Sequence, residues 1–380
     1  MRDFLPAFEL LDKSQHEALR CPKHRSLLVF GPPGSGKTVV AIYRAKQLKQ
    51  AKEKVDFIVR SRVLLSYIES SLKKSKIEAD YSTFESWFRI YLSKILPRGT
   101  PIPRPWGKRF EYDWPAVNQL LVKHNVALDG SFDHLLVDEA QDIPFDFFRI
   151  AVRVSKHLTV FADENQSIKQ GVNASLANLR AATKKFEPVE ILLDKNHRNT
   201  KEIARFAGLF AVYGIETGCT ESPSRSGHRP ALMSVASLEK QVQWVAQLIT
   251  NNPGKSIGIL TKFVKGSNGV FSWISLLNKH KVSAQSYSST NWRDVPNFEK
   301  SGAFVVTQES QTGLEFDFVV VPDVHLLPTE YMPEDQMRLY VAFSRARERL
   351  FVTYTGEAVP TIIADKVKGN EGLVKFERLE

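Results

Sequence analysis

Short apolar runs alternate along the first half of the chain with longer stretches in which apolar residues recur at helical spacing. The runs predict strands at 27–30, 55–59, 134–137, 158–161 and 190–193, and the stretches between them predict helices near 38–52 and 62–74. Strands that are apolar throughout and alternate with helices are typical of parallel sheets covered on both faces. The pattern therefore predicts an α/β fold.

The second half of the chain repeats this alternation. Predicted strands lie at 231–235, 256–260, 303–306, 318–321 and 350–354, with helices near 237–251, 268–280 and 334–345. A chain of 380 residues is long for one hydrophobic core. We therefore predict two α/β lobes, residues 1–195 and 196–380, and find no interpretable motif in the tail from 356 to 380.

An aromatic-rich stretch from about 85 to 132 interrupts the pattern of the first lobe, and we predict a short insertion there. Its proline-rich segment 97–105 is incompatible with a regular helix. The aromatic residues, mixed with arginines such as Arg98 and Arg104, have two interpretations. They form a stacking and phosphate-binding surface for single-stranded nucleic acid, or a small core with a basic rim.

Charge and cysteine content indicate the kind of partner and the cellular compartment. The formal net charge of +10 favours a polyanionic partner, although a merely soluble basic protein would look the same. Cys21 and Cys219 are too few for a disulfide framework or a zinc site, which favours a reducing compartment. The sequence has neither a signal-peptide profile nor an apolar run of membrane-spanning length, so we expect a soluble cytoplasmic protein without a membrane partner.

The segment Gly31–Thr38 fits the pattern G-x-x-x-x-G-K-[ST] between a predicted strand and a predicted helix. Glycines allow backbone N–H groups to wrap around phosphates without obstruction by side chains. Lys37 would contact the β and γ phosphates, and the Thr38 hydroxyl would bind Mg²⁺. The predicted phosphate-binding residues are Gly34, Ser35, Gly36, Lys37 and Thr38.

Polar residues at the ends of other predicted strands extend this site. Asp138 and Glu139 follow the third strand, and we expect Asp138 to hold Mg²⁺ and Glu139 to act as the general base. Gln166 is a candidate for sensing the γ-phosphate or positioning water, and Arg198 for neutralising charge during phosphoryl transfer. Gln15 would pair with adenine, or is an ordinary surface glutamine.

The order of these motifs resembles that of superfamily 1 helicases of the UvrD/Rep type, over the stretch from Gln15 to about Leu350. The matching segments are Gln15, Gly31–Thr38, Asp138–Asp142, Gln166–Ile168, Asn196–Arg198, Thr312–Phe316 and Tyr340–Ala346. The resemblance implies two RecA-like P-loop NTPase lobes with parallel sheets and ATP bound between them. It further implies that Arg198 and Arg345 reach the γ-phosphate from across the cleft and that Glu315 accepts a hydrogen bond from the ribose.

The chain also departs from this family. His197 stands where the family has a tyrosine that stacks on adenine, and residues 169–172 lack the aromatics that stack on DNA bases. Of the DNA-contact segments, only Arg60, Arg62, Thr83 and Ser86 remain as candidates. The large second accessory domain is missing, so the chain resembles a minimal form.

These features predict an ATP- and Mg²⁺-dependent helicase-like motor that translocates along single-stranded DNA, with RNA left open as a substrate. The alternative is a regulatory DNA-dependent ATPase that switches a partner protein, such as a nuclease in a repair or defence complex, without processive unwinding. The ATPase motifs are better kept than the DNA motifs, which favours the alternative; the basic charge favours the motor.

Overall fold

Two parallel sheets with helices on their faces make up the fold. The computed structural model describes residues 5–74, 80–107, 111–126, 128, 131–163, 174–212, 223–266, 268–288, 295–297 and 300–379. All strand pairings between the named strands are parallel, which confirms the predicted α/β class with two RecA-like lobes.

The first sheet has six strands in the order β3-β2-β4-β5-β1-β6. They are β1 (Leu27–Phe30), β2 (Val55–Val59), β3 (Asp80–Thr83), β4 (Phe132–Val137), β5 (Ser155–Ala162) and β6 (Val189–Leu192). The helices of this half are α1 (Lys13–Arg20), α2 (Lys37–Gln50), α3 (Arg62–Lys74), α4 (Phe84–Ile95), α5 (Trp114–Lys123), α6 (Phe145–Val154) and α7 (Leu176–Thr183). Helices α1 to α3 cover one face and α4 to α7 the other.

The second sheet has seven strands in the order β13-β7-β12-β11-β8-β10-β9. They are β7 (Ala231–Val235), β8 (Ser256–Thr261), β9 (Ala284–Tyr287), β10 (Gly302–Thr307), β11 (Phe316–Val321), β12 (Ala346–Thr355) and β13 (Lys375–Leu379). The helices are α8 (Lys201–Gly208), α9 (Leu238–Thr250), α10 (Val270–Lys279), α11 (Pro333–Phe343) and α12 (Thr361–Val367). Helices α8, α11 and α12 pack on one face, and α9 and α10 on the other.

The two sheets are joined through the start of α3 and through the segment after β6. Val63 of α3 is buried in the core of the second sheet. A Cβ built on Gly313 would lie 3.2 Å from the Leu64 Cβ, so the turn before β11 rests on α3. The predicted lobe boundary at 195/196 falls between β6 and the first strand of the second sheet. No helix among the described residues combines the length and the apolar character needed to cross a membrane.

The described aromatic residues of the insertion include a buried cluster and an exposed ring, that of Trp106. Five of its aromatic side chains are at most 9% exposed and belong to the same buried cluster as Phe147 of α6: Trp87, Phe88, Tyr91, Tyr112 and Trp114. The small-core interpretation therefore holds for these five. Trp106 is fully exposed, while Lys108, Arg109 and Phe110 lie outside the described residues.

Several elements at the sheet edges differ from the sequence-based prediction. Strands β3 and β9, and α12 and β13 in the tail, were not predicted; β13 pairs with β7. These strands are short and largely polar or exposed, so they lack the apolar run by which interior strands are recognised. The helix predicted at 334–345 ends at Phe343, which places Arg345 in the connection to β12.

Candidate active site

The phosphate loop connects β1 to α2 at the carboxyl edge of the first sheet. Gly34 and Gly36 have φ values of +80° and +85°, which L-residues other than glycine rarely adopt. A Cβ on Gly34 would lie 2.6 Å from both the Arg198 Cβ and the Asn196 Oδ1, and one on Gly36 would lie 2.3 Å from the Gln15 Nε2. The loop can therefore take this course only with glycine at both positions.

Lys37 is the first residue of α2 and is buried in the phosphate loop. Its Nζ donates hydrogen bonds to the carbonyl oxygens of Gly31, at 2.6 Å, and Pro32, at 3.0 Å. The Asp163 carboxylate at the end of β5 lies 3.8 Å from the same nitrogen. The ammonium group is thus held at the loop by backbone oxygens and one buried carboxylate.

Asp138 and Glu139 follow β4 and face this loop. The Thr38 hydroxyl donates a hydrogen bond of 2.6 Å to Asp138 Oδ2, and the Glu139 amide donates one of 3.0 Å to Oδ1. Burial raises the pKa of Asp138, and the neighbouring Glu139 carboxylate raises it further. The structure therefore brings together the two residues predicted to bind Mg²⁺ and the residue predicted as general base.

Gln141 is a residue of this site that we did not predict. Its Nε2 donates a 2.5 Å hydrogen bond to Glu139 Oε2, and its Oε1 accepts one of 3.0 Å from the Asp163 amide. The side chain thereby links the ends of β4 and β5 and fixes the orientation of the Glu139 carboxylate. Its place in the Asp-Glu-x-Gln-Asp segment was the available signal.

Arg198 belongs to a short segment that contacts both halves of the molecule. The His197 amide donates to the Gly34 carbonyl at 2.9 Å, while Asn199 Nδ2 donates to the carbonyls of Ser344, at 3.1 Å, and Ala346. Arg198 therefore lies directly against the phosphate loop. The resemblance implied a different arrangement, in which Arg198 reaches the nucleotide from across a cleft.

Glu315 holds two arginines. Its Oε2 accepts a 2.8 Å hydrogen bond from Arg198 Nε, and its Oε1 accepts one of 2.8 Å from Arg347 Nη1. Burial opposes ionisation of this carboxyl group, but the charges of Arg198 and Arg347 outweigh it and keep its pKa below the usual value. Glu315, which the resemblance implies as a hydrogen-bond acceptor for the ribose, thus has an arginine on each of its oxygens. The sequence pattern did not indicate Arg347.

Arg345 projects from the second sheet and is 1% exposed. Its Nε donates to the Val341 carbonyl at 3.0 Å, and its Nη1 contacts the Leu314 carbonyl at 3.3 Å. Burial, with a contribution from the nearby Arg198, lowers its pKa to about 10, and the carboxylates of Glu139 and Asp163 act in the opposite direction. Its charge is therefore felt by the acidic residues of the first sheet.

Gln15 and His197, the predicted base-binding residues, meet through Asp12 beside the loop. Gln15 Oε1 accepts from the Asp12 amide at 3.0 Å, and its Nε2 donates to the Ser35 carbonyl at 2.9 Å. Asp12 Oδ2 lies 2.7 Å from His197 Nε2. Burial would raise the pKa of Asp12, but its hydrogen bonds, that to His197 foremost, lower it to about 2. Gln15 is buried, so it is not an ordinary surface glutamine.

Among the described residues, the structure does not bring the other predicted site residues together at the phosphate loop. Gln166 lies outside the described residues. Arg60 forms an ion pair with Glu85, and the Thr83 hydroxyl caps α4 by accepting a 3.3 Å hydrogen bond from the Ser86 amide. Arg62 is exposed at the start of α3. The nucleic-acid role of Arg60, Arg62, Thr83 and Ser86 stays a prediction.

The family model for the Schlafen group 3 DNA/RNA helicase domain matches residues 24–256, well over half of the chain. The chain belongs to this family. The matched segment includes the phosphate loop, the Asp138–Glu139 pair and Arg198, and it ends at the start of β8, before Glu315 and Arg345. The match supports a helicase-like protein in the Schlafen group 3 family; the finer resemblance to the UvrD/Rep type stays a prediction.

Other comparisons add little. No curated protein matches the sequence. Among solved structures, the C-terminal domain of a possible DNA helicase from Lactobacillus plantarum WCFS1 is 21% identical in sequence, over 47% of this chain and 98% of that one, with a TM-score of 0.36. A likeness at this level says nothing about activity.

Proposed function

We propose that this chain binds ATP with Mg²⁺ at the phosphate loop and hydrolyses it to ADP and phosphate. The observation that carries the proposal is a pair of buried polar groups at the loop. Among the described residues, neither the Ser35 hydroxyl nor Nη1 of Arg198 has a hydrogen-bond partner. Buried donors without partners cost free energy, and the phosphate oxygens of a nucleotide would satisfy both.

Thr38 and Asp138 have the chemistry that Mg²⁺ requires. Both offer hard oxygen ligands, and these oxygens lie 2.6 Å apart. No group of three or more His, Cys, Asp or Glu side chains suited to a metal occurs in the part of the chain that the structure describes. This fits a cation that takes its other ligands from water and nucleotide phosphates. Bound Mg²⁺ supplies neutralisation of the charge on those phosphates.

The protein groups have distinct roles in the hydrolysis that we propose. Glu139, oriented by Gln141, accepts a proton from the attacking water. At the same time the water oxygen bonds to the γ-phosphorus, and the bond between the γ-phosphorus and the bridging oxygen of the β-phosphate breaks. Lys37 exchanges its backbone carbonyl partners for phosphate oxygens. Arg198 and Arg345 neutralise the charge that develops in the transition state.

We further propose that hydrolysis drives movement along single-stranded nucleic acid, with DNA as the first candidate. Membership of a DNA/RNA helicase domain family and the net charge of +10 support this. Arg345 is anchored in the second half of the molecule, so its approach to the nucleotide depends on the relative position of the two sheets. Nucleotide turnover and movement of the two halves are therefore coupled.

A second candidate is a regulatory ATPase that switches a partner protein, such as a nuclease. The pairing of Arg60 with Glu85 and the capping role of Thr83 favour it, because these predicted nucleic-acid contacts are engaged within the chain. The partner would then be recognised by one nucleotide state of the two halves.

ATP turnover measured with and without single-stranded DNA or RNA separates the two candidates. A motor is expected to hydrolyse ATP faster with nucleic acid, and Lys37→Ala should abolish the activity. Turnover that ignores nucleic acid and rises only with a partner protein would refute the motor. Absence of ATP binding by the wild-type chain would refute both candidates.

A further inference from the structure

Trp106 stands out among the aromatic side chains because it is 100% exposed. It lies in the segment Pro101–Gly107, which we call the tryptophan loop. Other large apolar side chains on the described surface reach at most 76% exposure, and Trp87, Trp114 and Trp273 are buried. Burial of a tryptophan ring is favourable in free energy, so a fully solvated ring is a surface that a ligand can cover.

The tryptophan loop is held in place although its ring is exposed. Prolines occupy positions 101, 103 and 105, and each fixes one backbone dihedral. The Pro103 carbonyl accepts a 3.2 Å hydrogen bond from the Asp113 amide. Arg104 Nη1 donates to the Glu111 carbonyl at 3.3 Å. A ligand that stacks on Trp106 therefore meets a ring on a largely ordered backbone, which lowers the entropic cost of binding.

A series of contacts connects the loop to the edge of the sheet at which ligands are expected. The Arg104 guanidinium stacks 4.5 Å from the centre of the Tyr112 ring. The Tyr112 hydroxyl donates to the Glu85 carbonyl at 3.2 Å, and Glu85 pairs with Arg60 at the end of β2. The carboxyl ends of parallel strands form the binding edge of an open α/β sheet. These contacts connect Trp106 to that edge in a few steps.

The surroundings of the ring favour a nucleobase over a protein side chain. Arg104 and Arg89 both lie close enough to Tyr112 to oppose the rise in its pKa that burial causes. Apolar docking sites for proteins usually form a contiguous patch, whereas the residues within two positions of Trp106 are Arg104, Pro105, Gly107 and Lys108. An exposed aromatic ring two residues along the chain from an arginine is suited to one base and an adjacent phosphate.

We propose that Trp106 stacks on a base of single-stranded nucleic acid and that Arg104 contacts a neighbouring phosphate. This assignment rests on the proposed nucleic-acid-dependent function, and names a residue through which that function acts. The aromatic insertion would then contact the nucleic-acid strand near the edge of the first sheet. It also reconciles the two interpretations of the insertion, because five of its aromatic side chains form a core while Trp106 is exposed.

The test measures binding of fluorescently labelled oligo(dT) and oligo(U), each of about 15 nucleotides, to the full chain by anisotropy. Trp106→Ala should weaken binding about 5- to 140-fold, as expected for loss of one stacked base, whereas Trp106→Phe should stay within about threefold of wild type. The control is Phe376→Ala, which removes an exposed ring on the edge strand β13 of the other sheet and should leave affinity unchanged. Comparison of the two oligonucleotides shows whether the stacked base belongs to DNA or RNA.

Two further readouts separate stacking from a disturbed loop. Trp106→Ala should leave the dependence of log Kd on log salt unchanged, because the ring contacts no phosphate, while Arg104→Ala should reduce that slope by about 0.7. Tryptophan fluorescence should be quenched by oligonucleotide in the wild type and less so in Trp106→Phe.

Each contrary outcome points to a different failure. Equal affinity of wild type and Trp106→Ala would overturn the stacking role while leaving the proposed function intact. Equal weakening by alanine and phenylalanine, or a salt slope changed by Trp106→Ala, would also overturn it. A wild-type chain that binds neither oligonucleotide, with or without ATP, would refute the nucleic-acid function itself.

Discussion

Gly34→Ala is a direct test of how the phosphate loop meets the segment that carries Arg198. Gly34 has a φ of +80°, and a Cβ there would lie 2.6 Å from the Arg198 Cβ and from the Asn196 Oδ1. The Asn196 oxygen cannot move freely, because it accepts hydrogen bonds from the amides of Arg198, at 2.9 Å, and Asn199, at 3.1 Å. The alanine must therefore displace backbone that is fixed on both sides.

Gly99→Ala provides a matched control within the same chain. Gly99 has a φ of +84°, and a Cβ built there meets nothing within 4 Å. Both substitutions cost about 1–2 kcal/mol because alanine is forced into the left-handed region. Only Gly34→Ala adds overpacking, which typically costs about 1–3 kcal/mol. The difference between the two variants isolates the contact with Arg198 and Asn196.

The free energy of unfolding is measured by urea denaturation, and ATP affinity by titration with a fluorescent nucleotide analogue. We expect Gly34→Ala to be less stable than Gly99→Ala by about 1–3 kcal/mol and to lose nucleotide binding, which Gly99→Ala should keep. Part of the excess should disappear in an Arg198→Gly background, where one of the two close contacts is removed. Equal destabilisation by the two alanines would show that the loop and the segment 196–199 are not packed together.

Three other predictions concern the chemistry of the site. Glu139→Gln should keep ATP binding and lose turnover in a steady-state assay, because only the proton acceptor is removed; unchanged hydrolysis would mean that another group is the base. Arg345→Lys should lower kcat about 10-fold or more with little change in KM, whereas an equal change in ATP affinity would contradict a role confined to the transition state. Asp12→Asn should keep the helix cap but lose about 1–2 kcal/mol of stability above pH 4, since the Asp12 pKa of about 2 in the folded protein lies below its ordinary value of 3.8. Thermal unfolding at several pH values should show the difference in stability from wild type disappearing between pH 4 and pH 2. A difference that persists at pH 2 would exclude the ion pair with His197.

The interior of each sheet could be predicted from sequence because its strands are buried on both faces. β1 is apolar throughout, and β4 and β11 contain the apolar runs 135–137 and 318–321, for that reason. The edge strand β13 has only partly buried or exposed residues, so no apolar run marks it. Its pairing with β7 is a long-range choice that depends on the packing of α12, which local pattern does not contain.

The residues of the site were predictable to the extent that each has its own chemistry in a short motif. Thr38, Asp138 and Glu139 meet because β1 and β4 end at the same edge of the sheet, which follows from the parallel topology. Arg347 could not be found in this way, because its role depends on how the connection from α11 to β12 lies against Glu315. The same holds for Gln15, whose motif indicated a base contact while its amide is bonded to the loop and to the helix cap.

The segment 196–199 makes the phosphate loop and Arg345 parts of one mechanical unit. Its His197 amide holds the carbonyl of Gly34, and its Asn199 side chain holds the carbonyl of Ser344, the residue before Arg345. We therefore expect a shift of the loop on binding phosphate to reach Arg345, and the second sheet to which it is anchored, through two hydrogen bonds and the three residues between them. Because both bonds are accepted by backbone carbonyls, the coupling does not depend on the side chain at Ser344, whereas position 34 must remain glycine for the loop to keep its course. Occupancy of the loop and the position of the second sheet should consequently change together.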